Sequence, residues 1–161
     1  MVVGPALTSG QPPGNVNGVP HLELSVSDPY VTRARQQGDS SIARWNAAVA
    51  GAQEHCLMLD VEAVIVAISP TFERLLGLDR PAVGRDLLDG VLRLIDFADG
   101  GVLADGEVTK IPPLMALTSG RLARGLMRVG TADETCTLDA IATPLLDGDT
   151  TVGSLTFFSR V

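Results

Sequence analysis

Few residues of this 161-residue chain are of a type and spacing that support chemistry, so the candidates can be taken in turn. There are two histidines, His21 and His55, too far apart to share a helix face as zinc ligands do. No G-x-S-x-G nucleophile elbow and no phosphate loop ending in Gly-Lys-Ser/Thr occurs. From Asp96, a calcium-loop pattern places Gly101 sixth and Glu107 twelfth, but Ala98 and Gly100 fill positions that need side-chain oxygens, so calcium is not expected. The remaining carboxylates are scattered over turns and caps. Arg121, Arg124 and Arg128 fall in one extended stretch. Strand alternation puts Arg124 and Arg128 on one face and Arg121 on the other, which suits solvated positions better than an anion clamp. With no catalytic constellation and no metal ligands, the chain reads as a non-enzyme.

Hydrophobic residues make up 45% and charged residues 19%, a globular composition, and the length suits one core plus tails. The formal charge is −7 and Lys110 is the only lysine, so counterion release offers little to drive nucleic-acid binding. The longest apolar run, Ala63 to Ile68, is far shorter than the roughly 20 residues of a membrane helix. The N-terminus has no secretory pattern. A soluble, cytoplasmic protein is expected, with no membrane partner.

The elements follow from periodicity. Pro and Gly are dense over residues 1–40, which reads as a flexible tail, with Val19 to Val31 alternating as one edge-strand segment. Residues 41–161 read as the folded domain. Ile42, Trp45, Val49 and Ala52 form the apolar stripe of an amphipathic helix over 42–53, capped within Asp39-Ser40-Ser41. Cys56 to Leu59 and Val64 to Ile68 form a hairpin, followed by a helix capped by Ser69, begun at Pro70 and ended at Gly77. Asp86 is placed to cap a helix carrying Leu87, Leu88, Val91, Leu92 and Ile95. Asp96 to Asp105 is a Gly-rich loop, and Ile111 to Thr118 a short helix closed by Gly120. Three strands, Arg121–Val129, Glu134–Leu146 and Thr151–Phe158, complete the chain, the last two joined by an Asp-Gly turn.

This order, with a strand ending in Asp60, then Ser69-Pro70, the Phe-Glu-Arg-Leu-Leu-Gly helix of Phe72 to Gly77, and Gly84-Arg85, resembles a PAS sensor domain. Ala63 stands where the family often has Gly, and Ser69 where it has Asn, which removes an Asn-dependent ligand contact from what the resemblance implies. The fold implied is α+β: a five-stranded antiparallel sheet with short helices on one face and the amphipathic helix before it. The Asp86 helix would border the pocket. Cys56 and Cys136 would lie on strands separated by a third, too far apart for a disulfide, as reduced buried thiols. The Arg85 to Asp89 region lacks the cysteine of flavin photochemistry, and no histidine follows His55 to ligate haem, so no cofactor is expected. A small apolar ligand is the remaining candidate. Its pocket, or a filled core, would be lined by Met58, Val66, Phe72, Leu88, Phe97, Met115, Met127, Cys136 and Phe157.

Both faces of the last strands carry apolar residues: Val152, Thr156 and Phe158 alternate against Leu155 and Phe157. The outer face therefore needs a cover, supplied by the Trp45 helix or by a second subunit. Ile42, Trp45, Val49, Val152, Thr156 and Phe158 are the interface candidates. The chain stops at Val161, three residues past Phe158, which suggests a stand-alone module. The expectation is a sensory or regulatory domain acting through protein–protein contact, as a homodimer or with a regulatory partner. The alternative is a small-molecule sensor with an occupied apolar pocket.

Overall fold

The computed structural model describes residues 41–161. The tail over 1–40, its edge-strand segment Val19 to Val31, and the caps Asp39 and Ser40 lie outside the described residues. The elements are α1 (Ser41–Ala50), β1 (His55–Asp60), β2 (Ile65–Ile68), α2 (Pro70–Leu76), β3 (Arg93–Ile95), α3 (Asp105–Val108), α4 (Pro112–Ser119), β4 (Ala123–Gly130), β5 (Thr135–Asp147) and β6 (Thr150–Arg160). All strands pair antiparallel in one sheet, in the order β2-β1-β6-β5-β4-β3.

Local chemistry sets the first unit. Asp60 Oδ1 accepts the N–H groups of Glu62 and Val64 at 2.9 and 3.0 Å, which closes the β1–β2 turn. Ala63 completes that turn at φ +62°, a left-handed conformation costly for a residue with a Cβ. Ser69 Oγ accepts the Phe72 N–H at 3.3 Å as the α2 N-cap and the Cys56 N–H at 3.1 Å, tying helix to strand. Gly77, at φ +60°, ends α2 as expected, and a side chain there would strike Ala132.

The helix expected from Asp86 does not form. Asp86 Oδ1 accepts the Leu88 N–H at 2.8 Å in a local turn, and Gly90 turns the chain at φ +69°. Leu87, Val91 and Leu92 still reach the core from this irregular path. Arg93 to Ile95 then runs extended, with Leu94 opposite Val129, adding the sixth strand to the five expected. The apolar spacing fits a helix, but Gly90 inside a short window and an aspartate that satisfies its own turn remove the nucleus a helix requires.

The sheet carries packed apolar clusters on both faces. On the inner face, Leu57, Leu59, Phe72, Leu76, Val129, Leu138 and Phe158 form the main core. On the outer face, Val49 of α1 packs with Cys56, Met58, Ala67, Leu145 and Leu155, with Ile42 and Val152 alongside. The two free, buried thiols thus belong to opposite faces, Cys56 outer and Cys136 inner, which keeps them apart. No helix among the described residues is long and apolar enough to cross a membrane.

Candidate functional site

The inner face is filled around a ring pair. Phe72 stacks on Phe158 with centroids 4.4 Å apart, and His55 flanks Phe72 at 5.9 Å. Thr156, beside this stack, is fully buried, and its Oγ1 has no hydrogen-bond partner. Ser154 Oγ on the same face donates to the Pro113 carbonyl at 3.1 Å.

The outer face is only partly covered. Beyond α1, Phe157 of β6, Ile141 of β5 and Leu126 of β4 remain 42%, 39% and 57% exposed on three adjacent strands. Phe157 lies opposite Ile141, Ile141 opposite Arg124, and Leu126 opposite Asp139. Arg124 reaches diagonally across this row: its Nε donates to both Asp139 oxygens at 3.1 and 3.2 Å, and its Nη2 donates to Oδ2 at 2.6 Å. Those hydrogen bonds hold the Asp139 carboxyl below its ordinary range and raise Arg124. Arg128, next along β4 on this face, lies over the Phe97 ring at 4.8 Å. The three arginines are therefore not an anion site, since two are already engaged and Arg121 precedes β4.

A cleft of about 840 Å³ opens elsewhere, between β3, the 100–103 loop, α3 and the β4–β5 turn. Its apolar lining includes Leu88, Leu92, Leu94, Leu103 and Val108. Arg93 closes one side by donating to the Thr131 carbonyl at 2.5 Å. The acidic loop beside it spends its carboxylates locally: Asp96 Oδ1 accepts the Ala98 N–H, and Asp99 Oδ1 accepts the Gly101 N–H. Glu107 pairs with Lys110 at 2.7 Å. Among the described residues no group of side chains is arranged to hold a metal ion.

No protein-family model matches the sequence, and neither does any curated protein. Solved structures do match. The Rhodobacter sphaeroides LOV protein superposes with a TM-score of 0.54 at 15% identity, covering 75% of this chain and 66% of that one. The PAS domain of a Colwellia psychrerythraea protein gives a TM-score of 0.50 at 16% identity, over 81% of this chain and 97% of that one. The fold is PAS-like. The Vibrio cholerae VqmA dimer, from a study of DNA binding by LuxR-type receptors, gives a TM-score of 0.51 at 17% identity, covering 67% of this chain and 46% of that one. The chain thus spans about half the length of the VqmA structures it matches.

Set on this PAS-like frame, the candidate pocket residues do not converge. Phe72, Met127 and Cys136 are in the inner core, whereas Met58 and Val66 pack on the outer face under α1. Leu88 lines the cleft and Met115 is half-exposed on α4. Phe97 covers Arg128, lining a smaller recess with Met127. The interface assignment is corrected in β6. Phe158 and Thr156 point into the core, Phe158 only 4% exposed, whereas Phe157 points outward. The reason is a register shift between Leu145 and Leu146: Leu146 lies opposite Thr151 but Leu145 opposite Gly153, leaving Val152 as the extra residue. Alternation counted from Val152 is therefore inverted beyond it. Val152, Ile42 and Val49 do lie on the outer face, with Trp45 45% exposed on α1.

The exposed face also includes Leu126 and Ile141, which are not among the interface candidates of the sequence. The signal for them lay in β5, where Leu138, Ala140 and Ala142 alternate with the more polar Thr137, Asp139 and Thr143; pairing that pattern across to β4 and β6 identifies the outward residues.

Proposed function

We propose that this PAS-like domain is a sensory or regulatory module that works by protein–protein contact, without catalysis, in the cytoplasm. The contact we propose is a homodimer through the uncovered outer face. The observation that carries the reading is the exposure of Phe157, Ile141 and Leu126 on adjacent strands of the sheet. Such a patch, crossed by the Arg124–Asp139 pair between Ile141 and Leu126, suits a two-fold contact in which each copy presents the same surface. The VqmA dimer is a precedent for association in a protein of similar fold. Direct nucleic-acid binding is not proposed, because the chain carries a formal charge of −7. Light scattering of the full chain and of Phe157→Asp tests the reading. A dimeric mass that becomes monomeric in the variant supports it, and one monomeric mass for both overturns it.

The 840 Å³ cleft favours a second reading, a sensor for a small, largely apolar molecule, because its volume and lining fall within the range of ligand pockets. Native mass spectrometry of protein purified from its own cells tests it. A reproducible non-covalent adduct lost in Leu94→Arg supports this reading, and an apo mass throughout counts against it.

A further inference from the structure

The N-terminus of α1 is held by a residue far along the chain. The Ser41 N–H donates to Asp147 Oδ1 at 3.1 Å, and Ser41 Oγ lies 2.7 Å from both Asp147 Oδ1 and the Leu146 carbonyl. Asp147 ends β5, so the β5–β6 turn holds the first described residue of α1 through its N–H and hydroxyl. Arg44 Nη2, one turn along α1, lies 3.4 Å from Ser41 Oγ and brings a cation close to the same carboxylate. A helix of ten residues is marginal in water by itself, so α1 persists through its docking. Its hold on the sheet includes Val49, Ile42 and this joint. Ile42 sits against Gly153, where the missing side chain leaves room for the helix.

What α1 covers is specific. Cys56 and Met58, both fully buried, lie in the outer cluster with Val49 and Leu155. We propose that Asp147 is a latch for α1: while it holds Ser41 the helix shields Cys56 and Met58, and its release lifts the helix and opens that apolar surface. The surface so opened adjoins Phe157, since Cys56 lies opposite Phe157 in the β1–β6 register. Latch release therefore enlarges the face assigned above to partner contact. The latch itself stands whether or not a partner binds there.

Cys56 provides the readout and Cys136, buried on the other face, its internal reference. The rate of alkylation of each thiol is measured by mass spectrometry on the full chain, over a dilution series that separates shielding by association. In Asp147→Ala, Cys56 labelling is expected to rise roughly fivefold, the scale of losing a side-chain hydrogen bond at a helix N-terminus, with Cys136 unchanged. Asp147→Asn, which keeps an acceptor oxygen, is expected to fall between. Val49→Asp, which removes the apolar anchor, is expected to expose Cys56 fully. The proposal is overturned if Cys56 labels at the native rate in Asp147→Ala, if both thiols accelerate together, or if Val49→Asp leaves Cys56 protected.

Discussion

Replacing Phe158 and Phe157 singly with alanine separates the two faces of β6 in energetic terms. Phe158 is 4% exposed and stacked on Phe72 at 4.4 Å, so its removal forfeits nearly the whole transfer energy of the ring, leaves a cavity and breaks an aromatic pair. Core Phe→Ala changes cost about 3–5 kcal/mol, and the ring stack places this one at about 4 kcal/mol or above. Phe157 is 42% exposed, so a little over half of its transfer energy is at stake and solvent fills the space it vacates. A cost of about 1.5 kcal/mol or less follows. Against a typical total of about 5–15 kcal/mol, Phe158→Ala still folds but with a much lower urea midpoint. Urea unfolding followed by far-UV circular dichroism, at a concentration where the protein is monomeric, measures both. Equal costs, or a larger cost for Phe157→Ala, would refute the bulge-shifted register and restore the uninterrupted alternation.

Two further outcomes are expected. Ala63→Gly relieves a Cβ held at φ +62° in the β1–β2 turn and should stabilise the domain by about 0.5–1 kcal/mol in the same urea assay. Asp147 is held below its ordinary 3.8 by the Ser41 hydroxyl, then by the Ser41 N–H, with Arg44 adding its charge. A depressed carboxyl contributes stability above its unfolded value and loses it as pH falls through the lower folded value. Fluorescence of Trp45, the only tryptophan and a residue of α1, should therefore hold steady from neutral pH down to about 3.8 and change below it. Circular dichroism on the same samples identifies any accompanying global unfolding, and Asp147→Asn should abolish the step.

Much of the frame was legible from local rules. Ser69 and Gly77 bound α2, Asp60 closes the first hairpin and Gly148 turns the last, because each acts through its own backbone neighbourhood. The stretch after Asp86 was not legible, since the same leucines satisfy a helical stripe and an irregular path ending in β3, and only pairing with β4 selects the strand. The candidate face was half legible. Its existence follows from apolar residues on both sides of β6, but its membership depends on the shift at Leu145 and Leu146.

The sequence by itself determined the first hairpin with the helix that follows it, the three C-terminal strands, the PAS-like character and the presence of apolar residues on two sheet faces. These follow from periodicity and capping, which are properties of residues a few positions apart. The tertiary structure alone decided which side of β6 faces in, that a sixth strand joins the sheet, and that Asp147 bonds to Ser41 of α1. Each of those depends on residues distant in sequence. A single inserted residue in a ladder of period two inverts every side chain beyond it, and a hydrogen bond from a remote turn leaves no pattern in the helix it holds.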